Sequence, residues 1–369
     1  MNHNTMLAIV LVMQLHLIPG LGKACTSFCL DNGGHPVFGC NLDFPFGEGL
    51  LIVNKRGVAK EGWQRGVTGK TASWVSKYGS VTFNLVSREY AWAGMNEAGL
   101  VFSTMSLPGT QAPAADENPP LDTGVWMQHK LDMCKTVEEV IAAAGYIRII
   151  TGDHYLLCDR EGNVATLEWI AGKLVSHKGD AVPVAALAND TYDKSLEYWR
   201  RSKRLLGNLF AKSSFSLRRF ELASNRTKTF EPDKSPDVIK YAFDTLKEVS
   251  GQEVGGTDTQ WSIVFDIERL TVHFRTRSHP DIRYFDIKSF DFRCSTPVKM
   301  LDINEKVSGN VAGQLIDYSA KTNVDLFYNF SLRYPAENSY KELEWLTEYF
   351  GRYKCVHPEE VLQVDKMPQ

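Results

Sequence analysis

The chain has 369 residues, a hydrophobic fraction of 43%, and 41 basic against 44 acidic residues. This composition excludes a disordered or collagen-like chain. The formal net charge of −3 gives no electrostatic reason to expect a nucleic-acid partner. A chain of this length can bury a large core without cross-links to hold it together.

The first two dozen residues have the features of an export signal. An apolar run extends from Met6 to Leu15, a Pro-Gly pair follows it, and small residues stand at the first and third positions before Cys25. The run is too short to span a bilayer, and no later segment reaches about 18 apolar residues. We therefore expect residues 1–24 to be a cleavable signal peptide. Residues 25–369 would then form one domain, exported to the periplasm or secreted.

All seven cysteines follow the predicted signal peptide. An odd number of cysteines in an exported protein leaves at least one thiol without an intramolecular partner. No Cys-x-x-Cys pair is present, so a structural zinc site is not expected. We expect neither a metal nor an organic cofactor.

From Cys25 onward the pattern is mostly that of strands. Short runs rich in β-branched and aromatic residues are bounded by Gly, Asn and Asp. The turn Asp31-Asn32-Gly33-Gly34 is a hairpin signal between the first two runs. Strands are predicted over 26–30, 37–43, 81–85, 91–93 and 100–105, and an exposed Pro- and Ala-rich loop over 113–120.

The second half of the chain alternates helical and strand patterns. Helical periodicity covers 125–144, and Thr136 with Glu139 forms a capping box that divides it into two helices. Strands in blocks, with helices between and after them, predict a layered α+β domain. Strands are also predicted over 155–158, 165–169, 261–267 and 270–275, and helices over 192–210, over 236–249 with Ser235 as N-cap, and over 340–353.

Cys25 would be the first residue of the mature chain, which changes its chemistry. A free α-amino group has a reference pKa of about 7.7–8.0, so part of it is unprotonated at neutral pH. It can take the proton of its own thiol and later pass it to a leaving amine, which makes one residue both nucleophile and base. The alternatives are a disulfide, a lipidated cysteine and a plain buried thiol.

The predicted hairpin brings a carboxylate to this position. In an antiparallel pair folded at Gly33 and Gly34, Cys25 lies opposite Leu42 or Asp43. The Asp43 carboxylate can then orient the α-amine and stabilise its protonated form. The alternative is an aspartate that only caps a turn at the end of a strand.

Several motifs in a fixed order resemble one known family. Cys25-Thr26, followed by Phe38-Gly39-Cys40-Asn41-Leu42-Asp43, resembles the choloylglycine hydrolase / penicillin V acylase family of N-terminal-nucleophile amide hydrolases. Gly94-Met95-Asn96-Glu97-Ala98-Gly99-Leu100 is close to the family's Gly-Met-Asn-Glu-x-Gly-Leu. Weaker likenesses continue in the same order to about Asp286. The resemblance implies the four-layer αββα sandwich of N-terminal-nucleophile hydrolases.

The resemblance also implies roles for individual residues. Cys25 matches the nucleophile and α-amine base, and Asp43 matches the group that holds that amine. Asn189 matches an oxyanion-hole donor, because a side-chain amide suits a developing alkoxide. Arg219 matches a cation near the thiol, which would favour the thiolate. By residue type alone, Asn189 would be an ordinary turn residue and Arg219 an ordinary surface residue.

Two positions depart from the family pattern. Cys40 stands where the family usually has Arg, so a cation is lost there. Ser106 stands where it often has Asn, although a backbone N–H of Ser106 would still serve an oxyanion. We therefore expect the handling of substrate to differ from that of bile-salt and penicillin V hydrolases.

The function implied is hydrolysis of a linear carbon–nitrogen amide bond of a small N-acyl substrate, through a thioester on Cys25. A non-catalytic exported binding protein of the same fold is one alternative. An acyltransferase that uses the same acyl-enzyme is another. The sequence leaves open the acyl group, the amine and the oligomeric state.

Overall fold

The protein is described by a computed structural model that covers residues 25–31, 33–62, 72–150, 152–203, 214–235, 237–254, 257–333 and 353–356. The first ten strands are β1 (Thr26–Asp31), β2 (Pro36–Asp43), β3 (Leu50–Asn54), β4 (Val58–Glu61), β5 (Ser73–Val75), β6 (Ser80–Asn84), β7 (Ala91–Asn96), β8 (Val101–Ser106), β9 (Pro120–Leu121) and β10 (Arg148–Ile149). They are followed by β11 (Asp153–Cys158), β12 (Val164–Ile170), β13 (Lys173–Lys178), β14 (Ala186–Leu187), β15 (Thr259–Asp266), β16 (Thr271–Thr276), β17 (Arg283–Asp286), β18 (Lys299–Asp302), β19 (Gly309–Asn310), β20 (Ile316–Asp317) and β21 (Lys354–Cys355). The helices are α1 (Thr123–Met133), α2 (Val137–Ala143), α3 (Tyr192–Ser202), α4 (Phe215–Thr229), α5 (Val238–Glu248) and α6 (Ala320–Leu332).

Two large sheets form the centre of the molecule. One, which we call the first sheet, has the order β14-β1-β2-β15-β16-β17-β19, and the other, the second sheet, has the order β13-β12-β11-β8-β7-β6-β3-β18-β20. The two sheets face each other: Ser27 Oγ of β1 lies 2.6 Å from Ser103 Oγ of β8. Buried side chains of both sheets, such as Phe38, Phe265 and Phe83, share one hydrophobic core.

Helices cover the outer face of each sheet. Helices α4 and α5 pack on β1, β2, β14 and β15, whereas α1 packs on β7 and β8. Burial of an apolar stripe on a sheet is the main source of stability for such helices. On α5 this stripe includes Val238, Ala242 and Leu246. The result is the helix–sheet–sheet–helix layering that the resemblance implied.

Most predicted elements are confirmed. Thr136 is the N-cap of α2 and accepts a hydrogen bond from the N–H of Glu139, so the capping box divides α1 from α2 as expected. The first part of the predicted helix 192–210 is α3, and the remainder beyond residue 203 lies outside the described residues. The predicted C-terminal helix 340–353 also lies outside them, except for its last residue.

One predicted cap is wrong. Ser235 does not cap α5; the N-cap is Asp237, whose carboxylate accepts the N–H of Lys240 at 2.9 Å. An aspartate directly before the first helical residue competes well for this position, because its charge also matches the positive end of the helix dipole. Several elements were not predicted, namely the strands β3 to β5, β9, β10, β13, β14 and β17 to β21 and the helices α4 and α6.

The cysteines are divided between one disulfide and several thiols. Cys294 is bonded to Cys355, with a Cα–Cα distance of 5.3 Å. Cys25, Cys40 and Cys134 are buried and not disulfide-bonded. Among the described residues, no helix has both the length and the hydropathy needed to cross a membrane.

A buried ion cluster anchors the segment between β6 and β7. Lys60 Nζ lies 2.9 Å from Glu89 Oε2 and 2.9 Å from Asp132 Oδ2, and all three side chains are at most 3% exposed. Burial raises the pKa of Asp132 to about 6, although Lys60 opposes this shift. Glu89 also has a left-handed backbone, with φ of 65°. The ion cluster therefore ties this segment to β4 and α1.

We predict that Lys60→Met lowers the free energy of unfolding by about 3–5 kcal/mol, because it removes the ammonium that the buried Asp132 and Glu89 carboxylates share and, among the described residues, leaves only Arg88 near Glu89. Arg56→Met is the matched control, since Arg56 pairs with Glu97 at a site where the two side chains are 42% and 26% exposed. The Arg56→Met substitution should lower the free energy of unfolding by less than about 1 kcal/mol. Denaturant titration of both variants measures the difference, and equal losses would contradict the prediction.

Candidate active site

Strand ends converge at one edge of the first sheet. In antiparallel neighbours, the start of one strand meets the end of the next. Cys25 directly precedes β1, Asp43 ends β2, Thr259 starts β15, and Asn189 follows β14 by two residues. This edge therefore collects the side chains that the sequence singled out.

The register of the hairpin agrees with the sequence argument. Thr26 lies opposite Asn41. Continued by one residue, this register places Cys25 opposite Leu42, so that Asp43 is the next residue of β2. Asp43 in turn lies opposite Thr259 of β15.

Arg219 of α4 connects the other groups of this edge. Its guanidinium donates to the carbonyl oxygen of Cys25 at 2.5 Å, to Thr26 Oγ1 at 2.7 Å and to Asn189 Oδ1 at 2.8 Å. Its Nη1 also lies 3.7 Å from Asp43 Oδ2. The side chain is 1% exposed. Arg219 thus binds the backbone of Cys25 and holds a buried positive charge beside the Asp43 carboxylate.

Asp43 is a fully buried carboxyl group. Burial raises its pKa to about 7, while the charge of Arg219 and a hydrogen bond from Thr259 oppose that rise. Thr259 Oγ1 donates to Asp43 Oδ1. Among the described residues, no donor lies within hydrogen-bond distance of Asp43 Oδ2, and Arg219 Nη1 is 3.7 Å from it. One oxygen of the carboxyl group is therefore held in place, and the other is available to a further donor.

A glycine allows the backbone to approach this carboxyl group closely. The N–H of Gly251 donates to Thr259 Oγ1 at 3.1 Å, the same hydroxyl that donates to Asp43. A Cβ at residue 251 would lie 1.6 Å from the carbonyl oxygen of Thr257 and 3.2 Å from Asp43 Cγ. Such contacts exclude any side chain at this position.

Asn189 has a fixed amide orientation. Its Oδ1 faces the Arg219 guanidinium, which can only donate, so its Nδ2 faces the other way. Nδ2 donates to the carbonyl oxygen of Ser106 at 2.8 Å, and the backbone N–H of Asn189 donates to Ser216 Oγ at 2.9 Å. Asn189 thereby links α4 to the end of β8 in the second sheet.

A cavity opens beside Cys25 between the two sheets. Ser106 and Asp153, which pair across β8 and β11, belong to its wall. Its other polar lining residues include Tyr90, Thr104 and Thr123. Its apolar lining residues include Leu42, Phe44, Leu85, Trp92 and Met105. A largely apolar cleft with a few polar groups is typical of small-molecule sites.

Cys40 brings no cation to this region. It is fully buried in the core, and burial, with a smaller effect of the Cys25 charge, raises the pKa of its thiol well above the ordinary value. It therefore stays a neutral thiol at physiological pH. The departure from the family pattern at this position is an exchange of a charged group for a small apolar one.

The family model for linear amide C–N hydrolases, choloylglycine hydrolase family, matches residues 25–224. The chain belongs to the choloylglycine hydrolase family. Penicillin V acylase of Pectobacterium atrosepticum is 27% identical over 361 residues, covering 84% of this chain and 93% of that protein.

Solved structures share the fold of this chain. Penicillin V acylase from Agrobacterium tumefaciens superposes with a TM-score of 0.66 at 26% identity, covering 80% of this chain and 98% of that one. A variant of conjugated bile acid hydrolase from Clostridium perfringens has a TM-score of 0.61 at 18% identity, covering 77% and 98%. The fold is the four-layer α+β sandwich of N-terminal-nucleophile hydrolases.

Some residues of the site were not singled out as site residues in the sequence. No role was assigned to Thr259, Ser216 or Asp153. The helix α4, which carries Arg219, was not predicted. Ser214 followed by apolar residues at 217, 220 and 223 was the available signal, since Ser214 is its N-cap and these side chains form its buried face.

We predict that Arg219→Lys lowers the free energy of unfolding by about 2 kcal/mol, because an ammonium cannot span the oxygens that the guanidinium reaches. Arg218→Lys is the matched control, since Arg218 is the exposed neighbour on the same helix. It should change stability by no more than about 0.5 kcal/mol. Thermal and denaturant unfolding of the two variants provides the measurement, and equal stabilities would refute the bridging role of Arg219.

Proposed function

We propose that the mature protein begins at Cys25, is exported, and hydrolyses a linear amide bond of an N-acyl substrate through a thioester on Cys25. Membership of a linear amide C–N hydrolase family supports the reaction class. The features of residues 1–24 support removal of a signal peptide directly before Cys25. No cofactor is required for this chemistry.

The observation that carries the proposal is the available oxygen of Asp43. A buried carboxylate oxygen without a donor is costly unless a partner arrives. Signal removal would convert the Cys25 nitrogen into an α-ammonium one register step from Asp43. That ammonium would satisfy the carboxylate and, in return, would be oriented by it.

These positions support the following reaction. The α-amine accepts the thiol proton, and Sγ of Cys25 attacks the substrate carbonyl carbon. The developing oxyanion accepts hydrogen bonds from the Asn189 side-chain amide and from the backbone N–H of Ser106. The α-ammonium then gives its proton to the leaving amine, and a water molecule, activated by the same amine, cleaves the thioester.

The cavity supports an apolar acyl group in the substrate. Phe44, Trp92 and Met105 line it next to Cys25, and removing an apolar acyl group from water favours binding there. Aromatic rings such as Trp92 also give this wall a definite shape. Penicillin V is a phenoxyacetyl amide, and the acylase relatives are named for acting on it. It is therefore a suitable first probe.

We predict that the α-amine must belong to Cys25 itself. A mature chain made with one extra Ala before Cys25 should lose at least about 99% of its kcat, because the base is moved off the thiol. The comparison is the same chain released from the same fusion partner at Cys25, with both starting residues confirmed by intact mass. Equal turnover by the two proteins would refute self-activation, and upstream residues retained in active protein would refute the proposed processing site.

We predict that Cys25→Ala abolishes amide hydrolysis while the melting temperature stays close to that of the native chain. Cys25→Ser should keep a small residual activity, because a hydroxyl at its ordinary pKa is a far weaker nucleophile than a thiol. Cys134→Ala is the control, since it removes another buried thiol away from the cavity. Hydrolysis of penicillin V and of a panel of N-acyl amides is measured, and turnover by Cys25→Ala would exclude Cys25 as the nucleophile.

We predict that Asn189→Ala lowers kcat by about 10²–10³, with little change in KM, because the amide acts mainly in the transition state. Asn225→Ala is the control, because Asn189 and Asn225 each begin an Asn-x-Thr sequon and Asn225 lies outside the proposed site. Loss of a glycan alone would affect both variants in the same way. Steady-state kinetics at matched thermal stability separates the effects, and a kcat within a few-fold of the native value would remove Asn189 from the site.

A further inference from the structure

Two cysteines outside the proposed chemistry meet between the sheets. Cys29 of β1 and Cys158 of β11 have their sulfur atoms 2.8 Å apart, and the two side chains belong to the same core. Two nonbonded carbon atoms prefer a separation of about 3.5–4.0 Å, and sulfur is larger than carbon. A disulfide bond has a sulfur–sulfur distance of about 2.05 Å. The pair is thus closer than two packed thiols and close to bonding distance.

The two strands that carry these cysteines also come close together. Facing sheets usually lie about 10 Å apart. Strands β1 and β11 approach each other to within 8 Å between Cα atoms, which is closer than that. Cys29 is 5% exposed and Cys158 is fully buried. The small cysteine side chains occupy a place where the two sheets come near each other.

The rest of the chain indicates an environment in which disulfides form. Cys294 and Cys355 are already bonded, across 61 positions of the sequence. Disulfides persist in oxidising compartments and are rare where glutathione keeps thiols reduced. Among the described residues, no group of three or more potential ligands surrounds Cys29 and Cys158, so a metal offers no comparable explanation of their approach.

We propose that Cys29 and Cys158 form a second disulfide, which links the two central sheets of the mature protein. Each thiol loses its proton, and the two sulfurs together give two electrons to a disulfide-bearing oxidant of the exporting compartment. One sulfur–sulfur bond forms in the protein, and the oxidant leaves as its dithiol. The inference is independent of the proposed amide hydrolysis.

The cross-link would join two strands that also contribute to the candidate site, at the ends of those strands away from it. Cys29 lies four residues after Cys25 on β1, and Cys158 lies at the opposite end of β11 from Asp153, a residue of the cavity wall. The bond would therefore join the strand that carries the nucleophile to a strand that forms the opposite wall. It would fix the separation of the two sheets at the end of these strands that lies away from the cavity.

Peptide mapping tests the bond directly. The mature chain is exported to a bacterial periplasm, purified without reductant, denatured with N-ethylmaleimide and digested. We expect a Cys29 peptide linked to a Cys158 peptide, with the label on Cys25, Cys40 and Cys134 only. The Cys294–Cys355 link in the same sample is the internal control for oxidising conditions. Label on both Cys29 and Cys158 in molecules that hold this control link would overturn the proposal.

Stability provides the second measurement. In the exported protein, Cys29→Ala and Cys158→Ala should each lower the melting temperature by about 3–7 °C, and the double variant by no more than either single one. When the same variants are made in the cytoplasm and kept in reductant, their melting temperatures should differ little from that of the native sequence prepared in the same way. A difference of equal size in both preparations would mean that packing, not a covalent bond, stabilises the pair. Amide hydrolysis measured on the same samples reports separately on the proposed function.

Discussion

The candidate site depends on one buried guanidinium. Arg219 binds the Cys25 carbonyl, the Thr26 hydroxyl and the Asn189 amide, and its charge faces the Asp43 carboxyl group. These contacts join β1, β2, α4 and the segment after β14. Removal of such a charge from water is costly, and the cost is offset only when its donors find good acceptors. The same contacts therefore stabilise the fold and orient the groups to which we assign chemistry.

Asp43 shows how burial and charge compete in this region. Burial outweighs the attraction of Arg219, because the closest nitrogen–oxygen distance of 3.7 Å is longer than a hydrogen bond. The pKa of Asp43 is therefore raised in the unprocessed chain. An ammonium on Cys25 would add a second positive charge beside Asp43 and would lower that pKa again. Processing and the charge state of Asp43 are thus coupled in our account.

The second sheet supplies what the first sheet lacks. The first sheet carries Cys25 and Asp43, and its strand β14 leads to Asn189. The second sheet contributes Ser106 and much of the apolar wall of the cavity. A substrate held between the sheets would have its acyl group against side chains such as Phe44 and Trp92. With Cys40 neutral and buried, the cation that the resemblance implied for that position is absent here. Selectivity for the acyl group would then come mainly from shape and hydrophobic contact.

The sequence predicts local geometry well and distant contacts poorly. The hairpin register follows from the two glycines of the turn and the two-residue period of a strand, so the position of Asp43 beside Cys25 could be inferred. The contact between Thr259 and Asp43 joins residues 216 positions apart, and no local pattern reports it. Arg219 was found by resemblance alone, because the many charged residues of α4 obscure its apolar face. The direction of the Asn189 amide required the position of Arg219.

The most direct test of the account is to find where the acyl group is held during turnover. The mature protein is mixed with penicillin V, or with the best substrate of the N-acyl amide panel, quenched in acid and digested for mass spectrometry. The account predicts the acyl mass on the peptide that begins at Cys25, in a form that hydroxylamine removes as expected for a thioester. An acyl group on any other side chain would contradict it.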